Sequence, residues 1–158
     1  MSTAPDHDAR FVRLDWRGPF LAGPDGALAP SPPSTQASDL EEALGGRGVY
    51  LVLGDHPVHG SRALLYIGRS DDLEGRLRTH AGWIGQQWRA EVYLADVCDE
   101  DLLKDVERLL IYAHSPCYNA QDVASRPTFS REIRLWNCGS FFRLLPEVSS
   151  LHPWYDGS

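Results

Sequence analysis

The sequence has few cysteines, a single lysine and no long apolar run. Its three cysteines, Cys98, Cys117 and Cys138, are scattered and none forms a Cys-x-x-Cys pair, so we expect neither a disulfide framework nor a zinc knuckle. No apolar run approaches the roughly 20 residues that a bilayer span needs. The first residues, MSTAPDHDAR, lack the apolar segment of a secretory signal. We therefore expect a reduced, intracellular, cytoplasmic protein that does not engage a membrane.

The charge is acidic overall but unevenly distributed. A net charge of −7 is unusual for a nucleic-acid enzyme, which normally presents a basic surface. Residues 1–45 hold seven acidic residues against three arginines, whereas residues 62–89 hold five arginines against three acidic residues. Arginine suits bidentate phosphate contacts, although coding bias could produce the same excess. The candidate nucleic-acid-binding residues in this basic stretch are Arg62, Arg69, Arg78 and Arg89.

The 158 residues fit one domain with a modest core, and the patterning divides them into three parts. Residues 1–45 are expected to form an N-terminal extension, partly disordered, with a possible edge strand at Phe11–Trp16 and a short helix. Residues 46–121 carry the regular strand and helix patterning of the central domain. Residues 122–158 are expected to form a C-terminal extension that packs on that domain, with one or two short strands.

Three short apolar runs predict the central sheet. Val49–Leu53 and Ala63–Ile67 are β-prone, and the loop between them is too short for a helical crossover, so they should form an antiparallel hairpin. Val92–Val97 is the third run. Helices are predicted after Asp71 and after Asp99, where acidic residues favour a helix N-terminus. We therefore expect an α/β (α+β) fold with a small central, mostly antiparallel three-stranded sheet flanked by helices.

Polar residues on these elements could meet in one site. The hairpin can bring Tyr50 and Tyr66 together on one side, and Arg76 and His80 share a helix face at i, i+4. Glu107 falls at the edge of an apolar helical stripe, where a carboxylate needs a partner and a metal ion is one candidate. Phosphodiester hydrolysis requires a base, a cation for the transition state and a metal-bound carboxylate.

The order of these residues resembles the GIY-YIG nuclease family. Gly48-Val49-Tyr50 and Tyr66-Ile67-Gly68 are similar to its two signature tripeptides, with Val for Ile in the first. The stretch YIGRSDDLEGRLRTH is similar to the family's Y-I-G-x₇-R-x₃-H run, and VERLLIYAHSPCYNAQ resembles its later motif of a helical glutamate followed by Pro and Asn. The match spans roughly residues 46–121, and in this sequence the later positions are Arg76, His80, Glu107, Pro116 and Asn119.

The resemblance implies a metal-dependent endonuclease that hydrolyses phosphodiester bonds in DNA. Tyr50 would orient or deprotonate the attacking water, and Tyr66 would support it from the adjacent strand. Arg76 would stabilise the charge on the phosphate.

The same resemblance implies roles on the long helix and beyond it. Glu107 would hold a single Mg²⁺ or Mn²⁺ ion, mostly coordinated by water and phosphate oxygens. Asn119 would hold the Glu107 end of the site together, and His80 would handle protons or contact phosphate.

Two other functions and several other residues remain open. The chain could be a nucleic-acid-binding module without catalysis, or a hydrolase of a small phosphodiester or nucleotide, and RNA could replace DNA. His56 and His59 resemble a metal pair, but without a nearby third ligand in the sequence we interpret them as a polar loop tip, and Cys117 as a structural thiol. Core or rim packing is favoured over base stacking for Trp83, Trp88 and Trp136. The oligomeric state is not indicated.

Overall fold

The computed structural model of the protein describes residues 10–23, 25, 27–44, 46–79, 90–119, 127–129 and 131–151. Within them the chain forms seven strands and three helices. In chain order these are β1 (Arg10–Ala22), β2 (Leu28–Pro30), α1 (Ala37–Leu44), β3 (Gly48–His56), β4 (Gly60–Ser70), α2 (Leu73–Thr79), β5 (Glu91–Asp96), α3 (Glu100–His114), β6 (Ile133–Gly139) and β7 (Glu147–Ser149).

All seven strands belong to one mixed sheet with the order β4-β3-β5-β1-β6-β7, and β2 pairs with β1 beside this path. Every pairing is antiparallel except that of β1 with β6. The expectation of a small three-stranded sheet is therefore wrong. The strands β4, β3 and β5 are adjacent, but the sheet continues beyond them through β1 into both terminal parts of the chain.

Strand β1 lies inside the sheet, between β5 and β6, and not at an edge as expected for Phe11–Trp16. The alternation of apolar and polar residues in this segment therefore has a cause other than an edge position. Leu14 and Trp16 are buried on one face of the sheet, while Phe11 is 57% exposed on the other. A buried hydrogen bond from Trp16 Nε1 to Asn137 Oδ1, 2.7 Å long, ties β1 to β6. The alternation thus reports a sheet with one open face rather than an edge position.

The sheet separates two apolar clusters. Because side chains alternate along a strand, Val49, Leu51 and Leu53 of β3 pack in the cluster that includes the buried residues of α3. Tyr50 and Val52 point the other way, into the cluster formed with α1 and α2. The two tyrosine-bearing strands are therefore covered by helices on both faces.

The helix boundaries follow from side-chain caps. Asp72 Oδ1 accepts a hydrogen bond of 3.1 Å from the amide of Gly75, so α2 begins one residue later than expected from Asp71. Helix α3 begins after Asp99, whose carboxylate accepts from the Asp101 amide at 2.9 Å. It ends at Ser115, which adopts a left-handed conformation with φ 44°. In the described part of the chain, no helix has the length and apolar character that a bilayer span demands.

Gly48 allows the closest approach between β3 and β5. A Cβ atom at this position would overlap the carbonyl oxygen of Ala95, which is backbone and cannot move aside. We expect Gly48→Ala to lower the free energy of unfolding by about 1–3 kcal/mol, as overpacking usually does. Gly46→Ala is the matched control, since its Cβ would meet only the Asp96 carboxylate at an ordinary 3.5 Å. Urea unfolding of both variants checks the difference, and equal stabilities would contradict this packing.

Candidate active site

The register of the β3–β4 hairpin brings the two signature tyrosines together. Tyr50 lies opposite Gly68, and Val52 lies opposite Tyr66, so the tyrosines are diagonal neighbours on one face. Their ring centroids are 6.0 Å apart, with an interplanar angle of 31°. Tyr50 is fully buried and Tyr66 is half-buried. The hairpin thus presents the Tyr66 side to solvent and keeps the Tyr50 ring in the core.

Gly68 supplies the space that the Tyr50 side chain occupies. A Cβ atom there would overlap the hydroxyl and ring of Tyr50, and it would lie 2.8 Å from Cε1 of Tyr66. The requirement for glycine is therefore one of volume, because both rings pass over the β4 backbone at this point. The Tyr50 hydroxyl reaches the outermost strand of the sheet as a result.

Arg76 of α2 joins the two phenol groups. Its exposed guanidinium hydrogen-bonds the hydroxyls of both Tyr50 and Tyr66, which raises the pKa of Arg76. A guanidinium can only donate, so both phenol oxygens accept. Because five N–H donors are present on one planar group, Arg76 can bind the tyrosines and still offer donors to a phosphate.

The Tyr50 hydroxyl stays protonated at neutral pH. Burial raises its pKa well above the ordinary value, the neighbouring Tyr66 and Glu107 raise it further, and Arg76 opposes the shift. A protonated phenol can accept from Arg76 and donate to a water molecule, but it cannot take that water's proton. In this state Tyr50 does not act as a base toward water.

Glu107 reaches the same place from the other side of the sheet. It lies on α3, which packs on the face opposite Tyr50, yet its charge is close enough to influence the Tyr50 hydroxyl. Its half-buried carboxylate forms an ion pair of 3.4 Å with Arg69 of β4. The site is therefore built around the β4 strand, with the tyrosines and Arg76 on one face and Glu107 with Arg69 on the other.

Asn119 binds the backbone of β4 rather than standing free in the site. Its Nδ2 donates to the carbonyl of Ile67 and its Oδ1 accepts from the amide of Ile67, both at 2.9 Å. The amides of Cys117 and Tyr118 donate to β4 carbonyls just before this point, at 3.1 and 2.8 Å. Residues 117–119 thus pair along the outer edge of β4 and fix the segment that follows α3.

The other sequence-predicted residues are dispersed. Arg62 pairs with Glu91 at 2.9 Å and lies 4.1 Å above the ring of Phe142, far along β4 from Gly68. Arg78 is exposed and pairs with Glu74 one turn earlier in α2. Of the described candidate nucleic-acid-binding arginines, Arg69 is the one paired with a site residue. The fourth candidate, Arg89, and the predicted site residue His80 lie outside the described residues.

The donor set around Glu107 fits a weakly held, hydrated cation. Among the described residues, Glu107 belongs to no group of three or more His, Cys, Asp or Glu side chains that could enclose an ion. Mg²⁺ commonly keeps several waters and uses one or two carboxylates with substrate phosphates. The half-buried carboxylate suits that role once Arg69 releases it, and Arg69 can then pair with phosphate.

Two features escaped the sequence interpretation. Trp136 is 40% exposed and stacks on Phe11, with ring centroids 5.6 Å apart and an interplanar angle of 17°. The Arg134 guanidinium lies 5.6 Å from the Phe11 ring centroid. Trp83 and Trp88 lie outside the described residues. The second feature is the proximity of Cys117 to His56 and His59, which no local pattern could have shown because the cysteine follows α3.

Comparison of the chain with protein-family models, with curated proteins and with solved structures gives no match.

The ionisation of Tyr50 gives a test of this geometry. Because its pKa is raised in the folded chain, its stabilising effect is complete below the ordinary tyrosine pKa of 10.0 and is lost as the pH rises beyond it. We expect the free energy of unfolding of the wild type to fall more steeply above about pH 10 than that of Tyr50→Phe, by up to roughly 1.4 kcal/mol per pH unit. Urea unfolding across alkaline pH measures this.

Tyr118→Phe, which removes an exposed hydroxyl, serves as the control for that comparison. Identical alkaline slopes for the wild type and Tyr50→Phe would contradict a buried Tyr50 hydroxyl.

Proposed function

We propose that this chain is a metal-dependent endonuclease of the GIY-YIG type that hydrolyses phosphodiester bonds in DNA. The observation that carries the proposal is the joint placement of Tyr50, Tyr66 and Arg76. Both phenol hydroxyls bind one exposed guanidinium, and the charge of Glu107 acts on the same point. Each of these residues has an ordinary structural explanation alone, but two phenols joined to one guanidinium, within range of the charge of a carboxylate, are a group of side chains that can serve phosphoryl chemistry.

Arg76 is the residue best placed to receive the scissile phosphate. Its side chain is exposed, while its position is fixed by hydrogen bonds to two tyrosines. A preorganised cation favours the transition state because negative charge increases on the phosphoryl oxygens as the bond breaks. Arg76 would thus act mainly on the rate of cleavage, and less on the affinity for substrate.

Tyr50 and Glu107 would share the handling of the water nucleophile. With its phenol protonated, Tyr50 would orient the water, and the proton of that water would pass to bulk solvent. Glu107 would hold the Mg²⁺ or Mn²⁺ ion, which when bound lowers the pKa of a coordinated water and polarises the phosphate. Arg69 pairs with the Glu107 carboxylate and would move to an incoming phosphate.

The open face of the sheet supports a nucleic-acid partner. Phe11, Trp136 and Arg134 lie on the face that also carries Tyr50, since their neighbours on β1 and β6 are buried on the opposite face. A stacked aromatic pair beside a guanidinium can hold an unpaired base. This surface favours a substrate with a single-stranded or distorted segment over a fully paired duplex. We place the activity in the cytoplasm.

The alternative is a nucleic-acid-binding module without catalysis. The observation that favours it is the ion pair that engages the Glu107 carboxylate with Arg69, near a Tyr50 hydroxyl that stays protonated. The two functions differ in what happens to cleavage when Arg76 or Glu107 is replaced. A catalytic site loses turnover, whereas a binding module has none to lose.

Arg76→Ala and Arg78→Ala form a matched pair on one short helix. Both side chains are exposed, but only Arg76 contacts the tyrosines, while Arg78 pairs with Glu74. We expect Arg76→Ala to lower the cleavage rate about a hundredfold or more, with a much smaller change in substrate affinity. Arg78→Ala should cleave at a rate close to that of the wild type.

Cleavage and binding are measured separately, on plasmid, branched DNA and RNA, with and without Mg²⁺. Equal cleavage by Arg76→Ala and the wild type would refute the catalytic proposal. Binding of nucleic acid without cleavage by the wild type, under all of these conditions, would support the binding module.

The metal role of Glu107 is tested against Asp105 on the same helix. Asp105 also forms an ion pair, with Arg108 at 3.6 Å. Because it lies two residues before Glu107, it is on a different side of helix α3. We expect Glu107→Gln to remove most of the Mg²⁺-dependent cleavage, whereas Asp105→Asn keeps it. The measurement is the cleavage rate as a function of Mg²⁺ concentration. A Glu107→Gln variant that responds to Mg²⁺ like the wild type would place the ion elsewhere.

A further inference from the structure

Three metal-ligating side chains meet at the far end of the β3–β4 hairpin. His56 ends β3, His59 lies in the turn, and Cys117 follows α3. Their potential ligand atoms all lie within 4.8 Å of one another. None of the three takes part in the tyrosine and Arg76 site described above. Two imidazoles and a thiol are a donor set that transition metals bind well, and zinc in particular.

The backbone holds these residues near one another without a metal ion. His56 Nδ1 accepts from the amides of Val58 and His59, at 3.1 and 3.2 Å, which shapes the turn. The Cys117 amide donates to the Leu64 carbonyl at 3.1 Å, and Asn119 anchors the same segment two residues later. The two halves of the cluster are therefore brought together by sheet pairing, and binding an ion would require side-chain rotation and the loss of the two amide contacts of His56.

We propose that His56, His59 and Cys117 form a binding site for a zinc ion. Zn–N bonds of about 2.1 Å and Zn–S bonds of about 2.3 Å place tetrahedral ligand atoms roughly 3.5 Å apart. The widest separation of 4.8 Å must therefore shorten by about one ångström, a distance that side-chain rotation can supply. Zinc binding requires a thiolate, so it releases the Cys117 proton to solvent.

The fourth coordination position is left to water. His59 and Cys117 line an open cleft that His114 and Arg143 also border. His114 is not a ligand, because its Nδ1 binds the Leu110 carbonyl and its Nε2 accepts from the Leu145 amide, both at 2.8 Å. A site with three protein ligands and an open position is typical of zinc that remains accessible to solvent or substrate.

The turn contacts of His56 provide a competing explanation for that residue alone. With Nδ1 accepting from two amides, a neutral His56 ring carries its proton on Nε2. Zinc binding through Nε2 would move this proton to Nδ1 and break the two amide contacts, which opposes binding. His59 has no such role, since it is the amide and not the imidazole of His59 that serves the turn. A substitution of His59 therefore distinguishes a metal site from a cluster whose side chains only shape the turn.

Cobalt titration of the reduced, tag-free chain tests the proposal. We expect one equivalent of Co²⁺ to produce a thiolate-to-cobalt charge-transfer band, which Zn²⁺ then displaces. Cys117→Ser should abolish the band. His59→Gln should weaken cobalt binding by about tenfold or more, the size of effect that even indirect disturbance of a metal site causes. Cys98→Ser, which removes an exposed thiol outside the cluster, is the matched control and should keep the band.

Circular dichroism of each variant shows whether a lost band reflects unfolding. Should Cys117→Ser unfold, the exposed His59→Gln substitution still decides the question. A wild-type chain that shows no thiolate band, a band that persists in Cys117→Ser, or unchanged cobalt affinity in folded His59→Gln would each overturn the zinc site. None of these readouts depends on nuclease activity, so they stand apart from the proposed function.

Discussion

The two hydrogen bonds between the Asn119 side chain and the Ile67 backbone hold the edge of this protein together. Among the described strands, β4 is the last on its side of the sheet. The two bonds engage backbone groups of Ile67 that a further strand would otherwise pair. Each bond contributes about 0.5–1.5 kcal/mol, but their main effect is geometric. They fix the exit of α3, and with it the helix that carries Glu107, and they bring Cys117 to the histidines of the hairpin turn. Both the proposed nuclease site and the zinc site depend on this attachment.

The proposed nuclease site is assembled across the sheet and not within one cleft. Tyr50 and Glu107 belong to opposite faces, and the charge of Glu107 adds across β4 to the rise in the pKa of Tyr50 that burial causes. Glycine at position 68 of that strand leaves room for the Tyr50 hydroxyl. A side chain there would displace the Tyr50 hydroxyl, and a wider sheet edge would separate the two groups. The second signature tripeptide therefore has a physical reason that is independent of any resemblance. Its tyrosine supplies a hydroxyl, and its glycine leaves room for the hydroxyl of the other strand.

Sequence patterns predicted what is local and missed what is distant. The hairpin, α3 and the presence of α2 follow from short apolar runs and caps that lie within a few residues of one another. The parallel pairing of β1 with β6 joins Arg10–Trp16 to residues 133–139, and no local signal marks such a pair. The alternation of Phe11–Trp16 indicates that one face of a strand is open, which is true of this interior strand as well as of an edge. The proximity of Cys117 to His56 is long-range in the same way, so three residues with ordinary local roles became a candidate metal site only through the fold.

The chain is acidic overall, but this charge is compatible with a phosphate substrate. Near the proposed site, Arg69 forms an ion pair whose carboxylate a phosphate can replace. The ion pair between Arg69 and Glu107 is long, at 3.4 Å, and partly exposed. Ion pairs of this kind are weak in water. An incoming phosphate competes for Arg69, and the carboxylate that it leaves acquires a reason to bind a divalent cation. Phosphate and metal would then favour each other's binding, since each removes the partner that blocks the other. In contrast, the contacts of Arg76 with the tyrosines do not neutralise its charge, so that guanidinium keeps its full attraction for phosphate before and after the exchange.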